Sequence, residues 1–280
     1  MPIYEFRCQA CGELFEALVD AGTESAECRL CGGGDARRVL PSGATPPPDA
    51  QGRTAVSARA EQRREALVEL YREVSACTRC PLHAGRTKAV FGAGNADSEL
   101  MFIGEAPGAE EDRQGLPFVG RAGHLLNQLL EEIGMKRENV FIANILKSRP
   151  PGNRDPQPEE IEACWPYLER QIQLIEPRVI ATLGNFATKR MTGSQVGITR
   201  CCGTPQVHEI AGRTMFVYPL FHPAAALRTP SVLERLREDF SRLPALLAEP
   251  LPELEPPAAA VVGEPVVART DPASQLDLFG

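Results

Sequence analysis

The chain has 280 residues, of which 43% are hydrophobic and 24% charged, ordinary values for a globular protein with room for one large domain and small additions. The net charge of −7 excludes a uniformly basic nucleic-acid binder, and no apolar run approaches the roughly 20 residues that a membrane helix needs. The opening "MPIYEFRCQACG" lacks the basic-then-apolar order of a signal peptide, so the expected setting is the cytoplasm, with no membrane partner.

Charge is unevenly spread. Residues 1–40 carry 4 basic and 7 acidic side chains, and residues 249–280 carry 1 and 6. The stretch between them is left with 25 basic and 24 acidic, so local basic loops there can still meet a phosphate backbone.

Residues 1–41 read as a miniature module. "CQAC" and "CRLC" stand sixteen residues apart, and thiolates on two such knuckles (Cys8, Cys11, Cys28 and Cys31) suit tetrahedral zinc. A unit this small cannot bury enough surface to fold without its metal. With its opening "MPIYEFRC" it resembles the FmdB-type zinc ribbon. Residues 42–58 are a Pro/Gly/Ser-rich linker, and a helix follows over about 59–76, ending at Cys77.

From there to about 248 the pattern alternates. Strands are expected at "ELMFIG", "NVFIANIL", "RVIATLG" and "MFVYPLF", and helices at 120–134, 158–176, 184–192 and 231–247. This predicts an α/β fold, a three-layer α/β/α sandwich around a central, mostly parallel sheet. In such a sheet the ligand lies at the carboxyl ends of the strands. Four motif-like stretches stand there: "GEAPG", "NILKSRPPGNR", "LGNFA" and "FHPAAALR". Residues 249–280, rich in Pro, Ala and Glu, read as a disordered tail.

"GEAPGAEED" poses a chemical puzzle. A glycine-rich turn after a strand usually cradles a phosphate, yet Glu105 sits inside it and Glu110, Glu111 and Asp112 follow. A carboxylate there is a poor neighbour for a bound phosphate, so the turn is shaped for close backbone approach to something else.

Residues 77 to about 245, roughly 60% of the chain, resemble a family 4 uracil-DNA glycosylase, the iron–sulfur type, through "CTRCPLHAGRTKAVFGAGN", "GEAPGAEEDRQGLPFVGRAG", "NILKSRPPGNRDP" and "HPAAALR". The resemblance implies an enzyme that flips uracil out of single- or double-stranded DNA and hydrolyses its glycosidic bond, starting base excision repair. It implies that Glu105 stabilises the sugar and orients water, that Asn153 helps place that water, and that His222 donates to a uracil carbonyl. It implies that Gly104, Ala106 and Gly108 let the loop approach the base, that Phe118 stacks on it, and that Asn144 reads its edge. Glu111 would crowd the methyl group of thymine. Arg121, Arg149, Arg154 and Arg228 would contact phosphates, and Leu227 would fill the gap left by the flipped base.

The same resemblance implies a 4Fe–4S cluster. Cys77, Cys80 and Cys164 match its ligands, but "KSRPP" places Ser148 where the family has the fourth cysteine. Serine would ligate as an alkoxide, a harder donor, and Cys201 or Cys202 are the other candidates. Two rival readings remain open at this point: a protein that binds or is covalently trapped on uracil DNA, and a zinc-ribbon regulator with a degenerate core. Finally, "QLDLF", Gln275–Phe279, resembles the bacterial sliding-clamp-binding motif, with Leu276, Leu278 and Phe279 as apolar anchors on an otherwise polar tail. A monomer is expected.

Overall fold

The four long apolar runs become the adjacent inner strands of one sheet. The structure, a computed structural model, describes residues 3–11, 14–18, 25–28, 31, 36–38 and 55–252. The linker reading falls mostly, the tail reading almost wholly and the clamp-motif reading wholly outside these residues. The chain divides into two compact units, residues 1–55 and 56–280.

The small unit is a four-stranded antiparallel sheet of β1 (Ile3–Cys8), β2 (Leu14–Leu18), β3 (Ser25–Ala26) and β4 (Ala36–Arg38), in the order β2-β1-β4-β3. β1 delivers Cys8 to its end, and Cys28 follows β3; both are buried, whereas Cys11 and Cys31 are exposed.

The large unit opens with α1 (Ala55–Ser75). Then come β5 (Ala93–Gly94), β6 (Leu100–Gly104), α2 (Ala109–Gln114), α3 (Arg121–Glu132) and β7 (Phe141–Asn144). α4 (Pro158–Ile175), β8 (Val179–Leu183), α5 (Asn185–Thr192), α6 (Ile198–Cys201), β9 (Gln206–Ile210) and β10 (Arg213–Leu220) follow. The unit closes with α7 (Pro223–Ala226), α8 (Pro230–Ser241) and α9 (Leu243–Ala248).

The sheet order is β5-β7-β6-β8-β10-β9. The four inner strands are mutually parallel, and the two edges are antiparallel. β6, β7 and β8 are buried at every residue, which is why they read as unbroken apolar runs.

Side-chain alternation splits the core. Met101, Ile103, Ile180 and Val217 face α1, α4 and α5 with Leu70, Leu168 and Ala187. Leu100, Phe102, Ala181 and Tyr218 face α3, α8 and α9 with Leu126, Leu236 and Leu246. The expected three-layer architecture is present, with a mixed rather than purely parallel sheet.

Candidate active site

The site is assembled where β6, β7 and β10 end. Gly104 and Asn144 are the last residues of β6 and β7 and are directly paired in the ladder. The pairing continues past both strands, Ile145 N–H donating to Gly104 O at 3.0 Å and Leu146 N–H to Glu105 O at 3.0 Å. Backbone hydrogen bonds just past the strand ends thus tie the "GEAPG" loop to the residues that follow Asn144.

Gly104 explains its own identity. A Cβ there would lie 2.4 Å from Asn144 Oδ1 and 2.7 Å from Phe118 Cζ, both impossibly close. Phe118, 5% exposed, stacks on His222 with ring centroids 5.6 Å apart and planes at 27°. Gly104, Phe118, Asn144 and His222, expected to act together, do converge.

Asn144 is 2% exposed, and its Oδ1 is a buried acceptor with no hydrogen-bond partner. Such a vacancy costs about 1–3 kcal/mol in a folded chain, so an incoming donor is favoured. His222 caps α7: its Nδ1 accepts from Ala224 N–H at 3.1 Å. The neutral ring therefore carries its proton on Nε2. Burial pushes the imidazole down to about 4, against the opposing charge of Glu111, so it is neutral at physiological pH. Glu105 is half-buried, and desolvation, assisted by the negative charge of Asp155, raises it to about 7.

Glu111 is tied into the backbone of two turns. Its Oε1 accepts from Val119 N–H at 3.0 Å and Gly120 N–H at 2.9 Å, and its Oε2 from Gly108 N–H at 3.1 Å. The carboxylate ties the "GEAPG" turn to the "PFVG" turn. Ala106 and Gly108 lie on this tied turn, both half-buried.

The arginine expectations divide. Arg121 and Arg228 are exposed. Arg154 is turned to the buried Glu160, both guanidinium ends bonded to its carboxylate, and would have to leave that pair to reach a phosphate. Arg149 Nε donates to Asn153 Oδ1 at 2.7 Å, so that oxygen of Asn153 is already engaged, on an exposed residue at φ 55°. Leu227 is 41% exposed while Ala226 is buried at 4%, which leaves Leu227 as the projecting apolar side chain of this turn.

Cys77 and Cys80 follow α1, and Cys164 stands on α4. Cys77 and Cys80 pack against the core cluster containing Cys164, and burial together with the neighbouring Cys80 and Cys77 sulfurs raises the Cys164 thiol. Ser148, 3% exposed, accepts from Arg86 Nη1 at 3.1 Å. Cys202 lies instead beside Asp239 and Arg235 of α8, against the opposite face of the sheet, so the 201–202 loop is not the source of a fourth thiolate.

In the small unit the four cysteine sulfurs stand within 4.8 Å of one another, close enough to ligate one ion. Hydrogen bonds from the backbone N–H groups of Cys11 and Ala10 lower Cys8 to about 6, favouring the thiolate.

Residues 91–254 match the model of the uracil DNA glycosylase superfamily. The chain belongs to that superfamily. Residues 1–40 match a zinc ribbon domain, so a metal-binding ribbon precedes the superfamily domain. Among curated relatives, the type-4 uracil-DNA glycosylase of Archaeoglobus fulgidus is 43% identical over 68% of this chain and 98% of its own length. Those of Sulfurisphaera tokodaii and Thermotoga maritima are 45% and 49% identical, over 66% and 60% of this chain and 87% of their own lengths.

Around this site stand residues that the motif readings leave without a role. Arg137 holds the "PFVG" turn, Lys147 and Gln171 form a buried polar link behind Asn144, and Gly184 lets His222 come within 3.2 Å of where a Cβ would stand. Gly184 alone had a local signal, since a glycine closing an apolar strand marks close approach.

Among the described residues, no helix is long and apolar enough to cross a membrane.

Proposed function

We propose that this chain is a uracil-DNA glycosylase: it extrudes uracil from DNA and hydrolyses its N-glycosidic bond. The observation that carries the reading is the orphaned Asn144 Oδ1 beside Gly104 and Phe118, on a chain whose relatives bear that name. Uracil N3–H is the donor that such an acceptor lacks, and the amide nitrogen of Asn144 suits the O4 carbonyl. Cytosine offers neither match in its neutral form.

The flipped base would lie on Phe118, with His222 Nε2–H toward O2, where negative charge grows as the bond breaks. Glu105, when ionised, opposes the positive charge on the sugar and orients the attacking water. Leu227 fits the space vacated by the base. Arg121, Arg149 and Arg228 suit the flanking phosphates, and Asn153 suits a supporting place beside the water. This division of labour accounts for both halves of the opening loop: glycine for close approach and carboxylate for a cationic sugar.

For metals, the small unit suits one zinc on Cys8, Cys11, Cys28 and Cys31. Cys77, Cys80 and Cys164 suit an iron–sulfur core, whose ligands stand farther apart than those of a single ion. A 4Fe–4S cluster would brace the loops beside the DNA. Ser148 would be its fourth ligand as an alkoxide, with the Arg86 guanidinium favouring the negative oxygen. Metal analysis of anaerobically purified protein tests both sites, Ser148→Cys raising iron occupancy if this ligand set is right.

The proposed boundaries are 1–41 for the ribbon, 42–58 for the linker and 59–248 for the catalytic domain. The remaining segment, 249–280, ends in Gln275–Phe279, which suits a groove on the replication clamp and would deliver a cytoplasmic, monomeric enzyme to new DNA. Titration of a peptide of residues 270–280 into purified clamp tests this, with Leu278→Ala/Phe279→Ala as the control.

The activity itself is tested by incubating the protein with a uracil-containing oligonucleotide and cleaving abasic sites with alkali. Strand breaks support the proposal. A slow-migrating protein–DNA band means trapping, and neither result means a regulator.

A further inference from the structure

Phe118 is held at φ 50°, in the left-handed region that a residue with a Cβ seldom enters. Something must hold it there. Arg137 stands on a short 310 turn, Arg137–Asn139, just before β7. Its Nη1 donates to Phe118 O at 3.1 Å and to Asn127 Oδ1 of α3 at 3.0 Å, and its Nη2 donates to Pro117 O at 2.5 Å. Two consecutive carbonyls are thus gripped by one planar group that is itself anchored to a helix.

The far side of the same turn is held by Glu111 through the next two backbone N–H groups, those of Val119 and Gly120. From below, α3 comes so close at Gly123 that a Cβ there would lie 1.8 Å from Phe118 O. Burial lowers the Arg137 guanidinium and the Glu111 charge opposes that, so the two braces favour each other across the turn.

We propose that Arg137 is a positioning residue for uracil recognition: it fixes the Pro117–Phe118 backbone so that the Phe118 ring lies over Gly104 and against His222. This rests on reading Phe118 as the platform for the flipped base. Arg137 reaches no base or phosphate in this role. It acts through the ring alone, because relaxation of Phe118 to negative φ would swing the ring off Gly104. Grip on the DNA backbone would persist while grip on the base is lost. A lysine in its place keeps the charge but has no rigid fork to span two carbonyls and Asn127.

The test uses the full chain and four variants: Phe118→Ala, Arg137→Met, Arg137→Lys and Phe118→Ala/Arg137→Met. Three quantities are measured: the single-turnover excision rate, inhibition by free uracil, and affinity for DNA carrying a tetrahydrofuran abasic analogue. Arg137→Met should slow excision by about tenfold or more and weaken free-uracil inhibition by a similar factor, while abasic-DNA affinity stays within about twofold. Arg137→Lys should fall between the wild type and Arg137→Met in excision rate and free-uracil inhibition. In the Phe118→Ala background the Met substitution should add less than about twofold, since its route is already cut.

The proposal is overturned if Phe118→Ala is slow and Arg137→Met is not, if the two losses multiply, or if abasic-DNA binding falls equally. Unchanged excision by Phe118→Ala removes the platform reading itself, a distinct result. Should circular dichroism find Arg137→Met unfolded, the same cycle run with Arg137→Lys decides the matter by the same criteria.

Discussion

Glu105 offers the sharpest test of the site. If its carboxylate must be ionised to act, its raised pKa of about 7 sets the acid limb of catalysis. About 1% of the molecules are ionised at pH 5, about 9% at pH 6 and about 91% at pH 8, so excision should rise by roughly ninetyfold from pH 5 to pH 8. An ordinary glutamate near 4.5 would give a change of less than about twofold over the same range. His222, neutral near and above about pH 5, adds no limb of its own in this window. The assay is kcat/KM on a uracil-containing single strand at constant ionic strength. Asp155→Asn removes the lesser cause of the shift, so the midpoint should move below 7 yet stay above the ordinary value, because burial remains. Stability should respond in the opposite sense to activity. The folded chain holds the Glu105 proton more tightly than the unfolded one, so stability declines as pH rises from about 4.5 to about 7. Glu105→Gln should therefore be inactive, more thermostable than wild type at pH 8, and no more so at pH 4. A flat activity profile from pH 5 to pH 8 would refute the assignment of Glu105.

Gly104→Ala should cut excision by about a hundredfold or more, since its methyl group collides with both Asn144 and Phe118, and the overpacking should cost about 1–3 kcal/mol in denaturant titration. His222→Ala should slow excision by about a hundredfold or more, the scale of losing one preorganised donor, in single-turnover kinetics. Asn144→Asp, when protonated, offers cytosine an altered donor pattern, and the ratio of uracil to cytosine release should fall in a competition assay. Cys28→Ala should remove one equivalent of bound metal from the chain by elemental analysis, since the four small-unit sulfurs share one locus.

The inner strands were legible because burial on both faces leaves little but apolar residues, as in "LMFIG" and "VIATL". The edges were not. β5 is two residues long, preceded by Gly92 and ending in Gly94, both at positive φ, and β9 is the mixed, half-exposed "QVHEI". The tight turn joining β9 to β10 uses Ala211 and Gly212, both at positive φ, in place of the asparagine or aspartate that usually announces such a hairpin. The helix expected over 231–247 breaks at Arg242 into α8 and α9, where Pro244 removes a backbone donor in the first turn of α9. The motif residues at the strand ends could be read one by one, because topology gathers strand ends together. Their supports could not. Arg137 meets a turn some twenty residues earlier, and Lys147 donates from its buried Nζ to Asn144 O at 2.9 Å and to Gln171 Oε1 at 2.6 Å. No local periodicity encodes such contacts. Nor does the sequence reveal that the Glu111 carboxylate turns toward three backbone amides.

The direct pairing of Gly104 with Asn144 bears on how the protein behaves when warmed. The gap between Gly104 and Asn144 is one interstrand spacing, about 4.8 Å, fixed by backbone hydrogen bonds instead of by loop posture. Loops loosen gradually with heat, but a ladder between two fully buried strands yields only when the sheet itself comes apart. Discrimination between uracil and cytosine should therefore stay nearly constant with rising temperature and vanish together with the fold, even where turnover has already begun to change.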